Sequence, residues 1–219
     1  MNVWRENLVR ARGRLGKILR RRKSSAQLHD FWRRPDPANR PSGYLEGADR
    51  SLFLTEIVNH HVPRQAEILE IGCNVGRNLH YLATAGFTKL SGIEINEEAV
   101  RLLRVTFPEL AQTVQIWNEP VENAITKFHD RQFGLVYTMA VLEHIHPDSE
   151  WIFAEMARIT SDVLVTIEDE RGVSWRHFPR DYGALFRGLG LQQVDVRDCD
   201  DIEGLGSDFR ARVFKKHPL

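Results

Sequence analysis

The 219-residue sequence predicts an α/β fold built on a mostly parallel sheet, and three observations carry that expectation. Short apolar runs alternate with segments of helical period along the chain. One of them, Ile68-Leu69-Glu70-Ile71, passes through Gly72-Cys73-Asn74-Val75-Gly76 into the helical pattern Arg77-Asn78-Leu79. A second, Lys89-Leu90-Ser91-Gly92-Ile93-Glu94-Ile95-Asn96, ends in an acid 18 residues beyond Gly76 and leads into a helical run over 97–105.

The first turn has the character of a nucleotide-binding turn. Glycines at 72 and 76 let backbone approach a ligand where a Cβ would clash, and the helix start behind them offers unpaired N–H donors. The dinucleotide fingerprint G-x-G-x-x-G has three glycines, and Asn74 replaces the middle one here. A pyrophosphate would lose its closest backbone approach, and Glu70 would repel it; an ammonium group would suit Glu70. Cys73 reads as a small side chain fitted into the turn. At the end of the second strand, Glu94 can accept hydrogen bonds from both hydroxyls of a ribose. The competing reading of Glu94 is a solvated acid that favours the following helix dipole.

These segments, with two more in the expected order, resemble the class I S-adenosylmethionine-dependent methyltransferases from about Ala66 to the C-terminus. Leu69-Glu70-Ile71-Gly72-Cys73-Asn74-Val75-Gly76 resembles the first motif of that family, and Gly92-Ile93-Glu94-Ile95-Asn96 the second. A third strand over 114–117 precedes Asn118-Glu119-Pro120-Val121-Glu122, where the family often has Gly-Asp and an adenine contact. Phe133-Gly134-Leu135-Val136-Tyr137-Thr138-Met139-Ala140-Val141-Leu142-Glu143-His144-Ile145 is similar to its "FD-x-V…VLEHI" segment. Gly134 stands where the family usually has Asp, at an expected cost to turn stability only.

The resemblance implies a Rossmann-like seven-stranded sheet of order 3-2-1-4-5-7-6, the seventh strand antiparallel, with helices on both faces, and S-adenosyl-L-methionine as cofactor. It implies that Glu70 and the backbone of Gly72, Cys73, Asn74 and Gly76 hold the methionine end. Glu94 then takes the ribose, Ile95 the adenine face, and Glu119 with Pro120 the adenine edge. Met139 and Ala140 would border the sulfonium and the acceptor.

Three segments organise the chain. Residues 1–23 carry nine Lys/Arg against Glu6, a charge of +8 that leaves −8 on the remainder. Trp4, Leu8, Ala11, Leu15 and Ile18 recur on one helical face, so this arm reads either as a basic amphipathic helix for an anionic membrane surface or acidic partner, or as an exposed extension. Residues 24–48 are a linker or lid whose stretch 33–44 is dense in Pro and turn formers, with Arg40 and Tyr44 as candidate lid contacts. Residues 49–219 form the methyltransferase domain. It opens with a helix over 49–60 that turns Leu52, Phe53, Ile57 and Val58 inward. It continues with a helix over 151–159, a fifth strand over 162–168 and a helix over 180–189, and closes with a hairpin of 191–197 and 209–215.

Composition narrows the classes. No run of 18 apolar residues is present, so no membrane-spanning helix is expected. Cys73 and Cys199 are the only cysteines, which fits a reducing, cytoplasmic setting without a disulfide framework. No Cys/His cluster has zinc spacing, and no metal site is expected. Thr138-Met139-Ala140-Val141 stands where base-amino DNA methyltransferases carry Asn/Asp-Pro-Pro-aromatic, against flipped-base chemistry; the acidic body argues against a specific nucleic acid partner.

His144, directly after the fourth strand, and His177, in an aromatic and basic loop over 175–182, are the candidate catalytic bases. For His144 a purely structural role stands beside the catalytic one. The chain looks most like small bacterial methyltransferases of surface-polysaccharide and secondary-metabolite biosynthesis, which implies a small-molecule or glycan acceptor methylated on oxygen or nitrogen. A silent cofactor-binding or membrane scaffold and a nicotinamide oxidoreductase are the competing readings.

Overall fold

The computed structural model describes residues 23–217. All of the basic arm but Lys23 therefore lies outside the described residues, as do the last two positions. The strands are β1 (Ile68–Ile71), β2 (Leu90–Ile93), β3 (Gln115–Trp117), β4 (Phe133–Met139), β5 (Thr160–Asp169), β6 (Gln192–Asp198) and β7 (Phe209–Lys215). They form one sheet of order β3-β2-β1-β4-β5-β7-β6, in which β7 runs antiparallel to both neighbours and the other pairings are parallel. This is the expected order.

The helices are α1 (Ser25–Arg33), α2 (Ala48–His61), α3 (Arg77–Thr84), α4 (Glu97–Thr106), α5 (Pro108–Thr113), α6 (Val121–Ala124), α7 (Trp151–Ile159) and α8 (Tyr182–Gly188). Because side chains alternate across a strand, the central strands supply two cores. Ile68, Leu135, Tyr137, Val163 and Val165 pack with α2, α3 and α5 on one face. Leu69, Ile71, Val136 and Leu164 pack with α6, α7 and α8 on the other. Both faces are covered, so the parallel strand tips are the open end, where ligands of such sheets bind.

Several details depart from expectation. Helix α1 falls inside the stretch read as linker, and its start is fixed by a capping box: the Ser24 hydroxyl accepts from Gln27 N while Gln27 Oε1 accepts from Ser24 N. The Pro-rich stretch after it forms two 3-10 turns, Pro37–Asn39 and Pro41–Tyr44. In α2, Leu52 is 55 % exposed, whereas Ser51, Leu54 and Thr55 turn inward with Ile57 and Val58. The helix is phased by Ser51, whose hydroxyl donates to Asn78 Oδ1 and accepts from Arg77 Nε. Gly134 belongs to β4 itself, and a Cβ there would lie 3.0 Å from that of Ala66, so glycine serves strand packing rather than a turn.

Gly92 on β2 is required by close approach: a Cβ would sit 2.6 Å from Cys73 Sγ and 3.1 Å from Ile116 Cδ1. Gly92→Ala is expected to destabilise the chain by about 1–3 kcal/mol in chemical denaturation, the usual cost of overpacking. Adding Cys73→Ala should recover part of that loss; no recovery would reject Cys73 as the obstructing group.

Candidate functional site

The tips of β1, β2 and β4 open into one cavity of about 370 Å³, walled on its outer side by α1 and the turns that follow it. Its floor is the β1-to-α3 turn. Gly72, Asn74 and Gly76 all have positive φ, at 74°, 47° and 73°. A Cβ at Gly72 would meet Val141 Cγ2 at 2.5 Å, and one at Gly76 would meet Leu103 Cδ1 at 2.4 Å, so both glycines are needed for conformation and for space. Asn74 tolerates the left-handed region better than most residues. Its Oδ1 is buried and has no hydrogen-bond partner among the described residues.

Two carboxylates fix this floor. Glu94, buried at the end of β2, accepts from Asn74 N at 2.8 Å through one oxygen and from Asn96 N at 2.7 Å through the other. Burial raises it above the usual carboxylate range, and those amides pull it back. Four lone-pair positions on two oxygens leave capacity for further donors. Glu70 on β1 accepts from Asn78 Nδ2 at 2.8 Å and lies beside the Tyr137 phenol. Burial pushes it to about 7, against the pull of Asn78, Tyr137 and Arg77. Cys73 is 4 % exposed, and burial raises its thiol well above its ordinary value, which makes it a packing residue.

The far wall is the end of β4. Ala140, with φ 55°, turns the chain into the 3-10 turn Leu142–His144. Glu168 at the tip of β5 accepts from Val141 N and Leu142 N through one oxygen, at 2.9 and 2.8 Å. Glu143 reaches back to accept from Asp169 N at 2.8 Å. Burial raises both acids, repulsion from Glu168 raises Glu143 further, and a hydrogen bond from Glu143 lowers Glu168, so Glu143 is the one held protonated. Arg180 donates to the carbonyls of Leu142, Phe178 and Ile145, tying this turn to the loop that carries His177.

That tie brings the two candidate bases together: the rings of His144 and His177 are 4.7 Å apart. His144 Nδ1 is 2.8 Å from the Arg176 carbonyl, which only accepts, so Nδ1 carries the proton and Nε2 the lone pair. Burial holds His144 down to about 3, so it is a neutral imidazole. Burial also lowers His177, whose Nδ1 lies 2.6 Å from Ser174 Oγ.

Among the remaining expected residues, Ile95, Pro120, Met139 and Ala140 all border the cavity. Glu119 does too, but its carboxylate is engaged by Lys127 Nζ at 2.7 Å. Tyr44 lines the cavity, whereas Arg40 is exposed and does not. The sequence reading missed most of the lid. The Trp32 ring lies 4.6 Å from that of His144, the Trp32 carbonyl accepts from Asn96 Nδ2, and His29 Nε2 is 3.0 Å from Glu122 Oε1. Arg176, over the Phe31 and Trp32 rings, donates to Asn39 Oδ1. The Ser24-x-x-Gln27 box ahead of Leu28, Phe31 and Trp32 was the available signal.

Residues 68–162 match the family model described as a methyltransferase domain. Among solved structures, the 1,6-didemethyltoxoflavin-N1-methyltransferase of Burkholderia thailandensis, crystallised with 1,6-didemethyltoxoflavin and S-adenosylhomocysteine, is similar at 15 % identity. That similarity covers 94 % of this chain and 90 % of the other at a TM-score of 0.69. The magnesium protoporphyrin IX methyltransferase of Synechocystis PCC 6803, crystallised with S-adenosylmethionine, is similar at 14 % identity over 88 % and 96 % of the two chains, TM-score 0.66. A SAM-dependent methyltransferase of Methanosarcina mazei is 20 % identical over 74 % and 98 %, TM-score 0.60. At these identities the structural likenesses show the fold, while the stretch 68–162 carries the match to the methyltransferase-domain model. Residues 68–162 thus match a methyltransferase domain, on a fold shared with S-adenosylmethionine-dependent methyltransferases.

Proposed function

We propose that the cavity binds S-adenosylmethionine along the β1 and β2 tips and methylates a small molecule at the His144–His177 wall. The observation that carries the reading is the convergence of Glu70, the Gly72–Gly76 turn, Glu94 and the β4 end on one cavity. The unpartnered Asn74 Oδ1 fits a ligand with a hydrogen-bond donor, and Gly72, Cys73 and Asn74 line the cavity beside it. When bound, the cofactor supplies a methyl group on a sulfonium, open to in-line displacement.

In this reading Glu70 and the 72–76 backbone hold the amino-acid end, Glu94 accepts from the ribose hydroxyls, and Ile95 and Pro120 pack on the base. Glu119 would have to release Lys127 before it could meet an adenine amino group, which makes it the weakest of these contacts. Met139 and Ala140 separate this half of the cavity from the acceptor half. There His144 and His177 meet the acceptor hydroxyl or amine, and Trp32 and Tyr44 supply flat apolar surface. The residues act mainly by orientation. The two neighbours crystallised with toxoflavin precursor and named for protoporphyrin act on small molecules, which supports this acceptor class over a polymer. A glycan acceptor and peripheral contact of the 1–23 arm with anionic lipid are the finer possibilities within the same reading.

Three measurements test it. Gly72→Val should abolish S-adenosylhomocysteine binding in calorimetry, because its side chain enters the space of Val141 and of the ligand; retained affinity would reject the floor assignment. Because Glu70 titrates at about 7 and an ammonium ligand favours its charged form, affinity should rise about tenfold from pH 6 to pH 8 and then level off. Glu70→Gln should bind more weakly and without that slope; an unchanged slope would assign it elsewhere. Deleting residues 1–23 should leave turnover in solution unchanged and release the protein from anionic vesicles, and equal retention by the vesicles would reject the membrane contact.

A further inference from the structure

We infer that Glu143, His144 and His177 form a binding site for a divalent transition-metal ion at the acceptor end of the cavity. The inference rests on the acceptor-wall reading above and deepens it: the acceptor oxygen meets these side chains through the ion. No spacing in the sequence shows the site, because the loops after β4 and β5 deliver its members separately.

The geometry has the parts such a site needs. One ligating atom from each of the three residues lies within 4.8 Å of the others, and Glu143 Oε1 is 3.7 Å from His144 Nε2. These distances close onto a common centre with small side-chain movements. Each member is also held from behind, as metal ligands usually are. His144 Nδ1 donates to the Arg176 carbonyl, which leaves Nε2 as the donor atom. His177 Nδ1 is held by Ser174 Oγ, leaving its own Nε2. Glu143 accepts from Asp169 N, shares a hydrogen bond with Glu168, and has Oε1 3.7 Å from His144 Nε2, so an ion bound there displaces the proton that the two acids hold. The nearby Arg176 guanidinium is occupied by Asn39 Oδ1 and lies over the Phe31 and Trp32 rings.

Two imidazoles and one carboxylate select a borderline ion such as Zn²⁺ or Fe²⁺ over Ca²⁺ or Mg²⁺, with Mn²⁺ a weaker paramagnetic occupant, and three protein ligands leave positions open. A hydroxyl bound at an open position is acidified, its proton leaves to solvent, and its oxygen is oriented toward the methyl donor. All three residues line the same cavity as Met139 and Ala140.

The test uses the untagged full chain, stripped with chelator and titrated with Mn²⁺ under electron paramagnetic resonance and with Zn²⁺ in calorimetry. S-adenosylhomocysteine binding serves as an independent check on the fold and on the cofactor reading. One ion per chain is expected. His177→Ala should weaken uptake at least tenfold and Ser174→Ala by a smaller factor, both with unchanged S-adenosylhomocysteine affinity. Wild-type protein that binds S-adenosylhomocysteine but takes up neither ion, or takes up as much in His177→Ala, overturns the site. Loss of S-adenosylhomocysteine binding in the wild type would instead sink the underlying cofactor reading.

Discussion

Buried carboxylates that accept backbone N–H groups hold this site together. Parallel strands end in loops whose amides have no ladder partner, and a buried amide without an acceptor costs about as much as a lost hydrogen bond. Glu94 supplies the acceptor for the β1 turn and its own strand end, Glu168 for the start of the β4 turn, and Glu143 for the end of β5. Each acid thereby stitches one loop to its neighbour. Removing any of them would leave amides unsatisfied in a closed space, so these residues set the shape of the cavity whatever else they contact.

The same device explains why acids are tolerated in so apolar a setting. Desolvation alone would drive all of them to the neutral form, and the amides offset part of that penalty. Glu70 differs from the others. Its hydrogen bonds come from side chains, Asn78 above all, and it belongs to a polar group that also includes Ser51 and Arg77. That group reaches the lid turns, since Arg77 Nη1 donates to the carbonyls of Tyr44 and Glu46. The floor of the cavity and its outer wall are therefore parts of one hydrogen-bonded unit.

Much of this was legible in the sequence, and the limits have physical causes. The glycine turn and the carboxylates at 70 and 94 follow from local patterns, apolar runs of strand length and glycines where the backbone must bend, while the sheet order came only with the family resemblance that those motifs carry. Leu52 was misassigned because hydrophobicity alone ignores the pull of a buried polar cluster on Ser51. Glu119 was read as an adenine contact without its ion pair because the partner, Lys127, lies beyond an intervening short helix. The grouping of Glu143, His144 and His177 depends on the register between β4 and β5 and on Arg180, neither of which leaves a trace in spacing. Helix α1 was hidden by the Pro-rich stretch that follows it, although its capping box stood in plain view.

Helix α1 has a kinetic consequence. It touches both ends of the cavity at once, through His29 to Glu122 beyond the β3 tip and through Trp32 to His144 on the other. Lifting α1 has to break both anchors together. Wherever a reactant passes beneath the helix, the frequency of that event caps throughput, and better chemistry at the β4 end could not raise the cap.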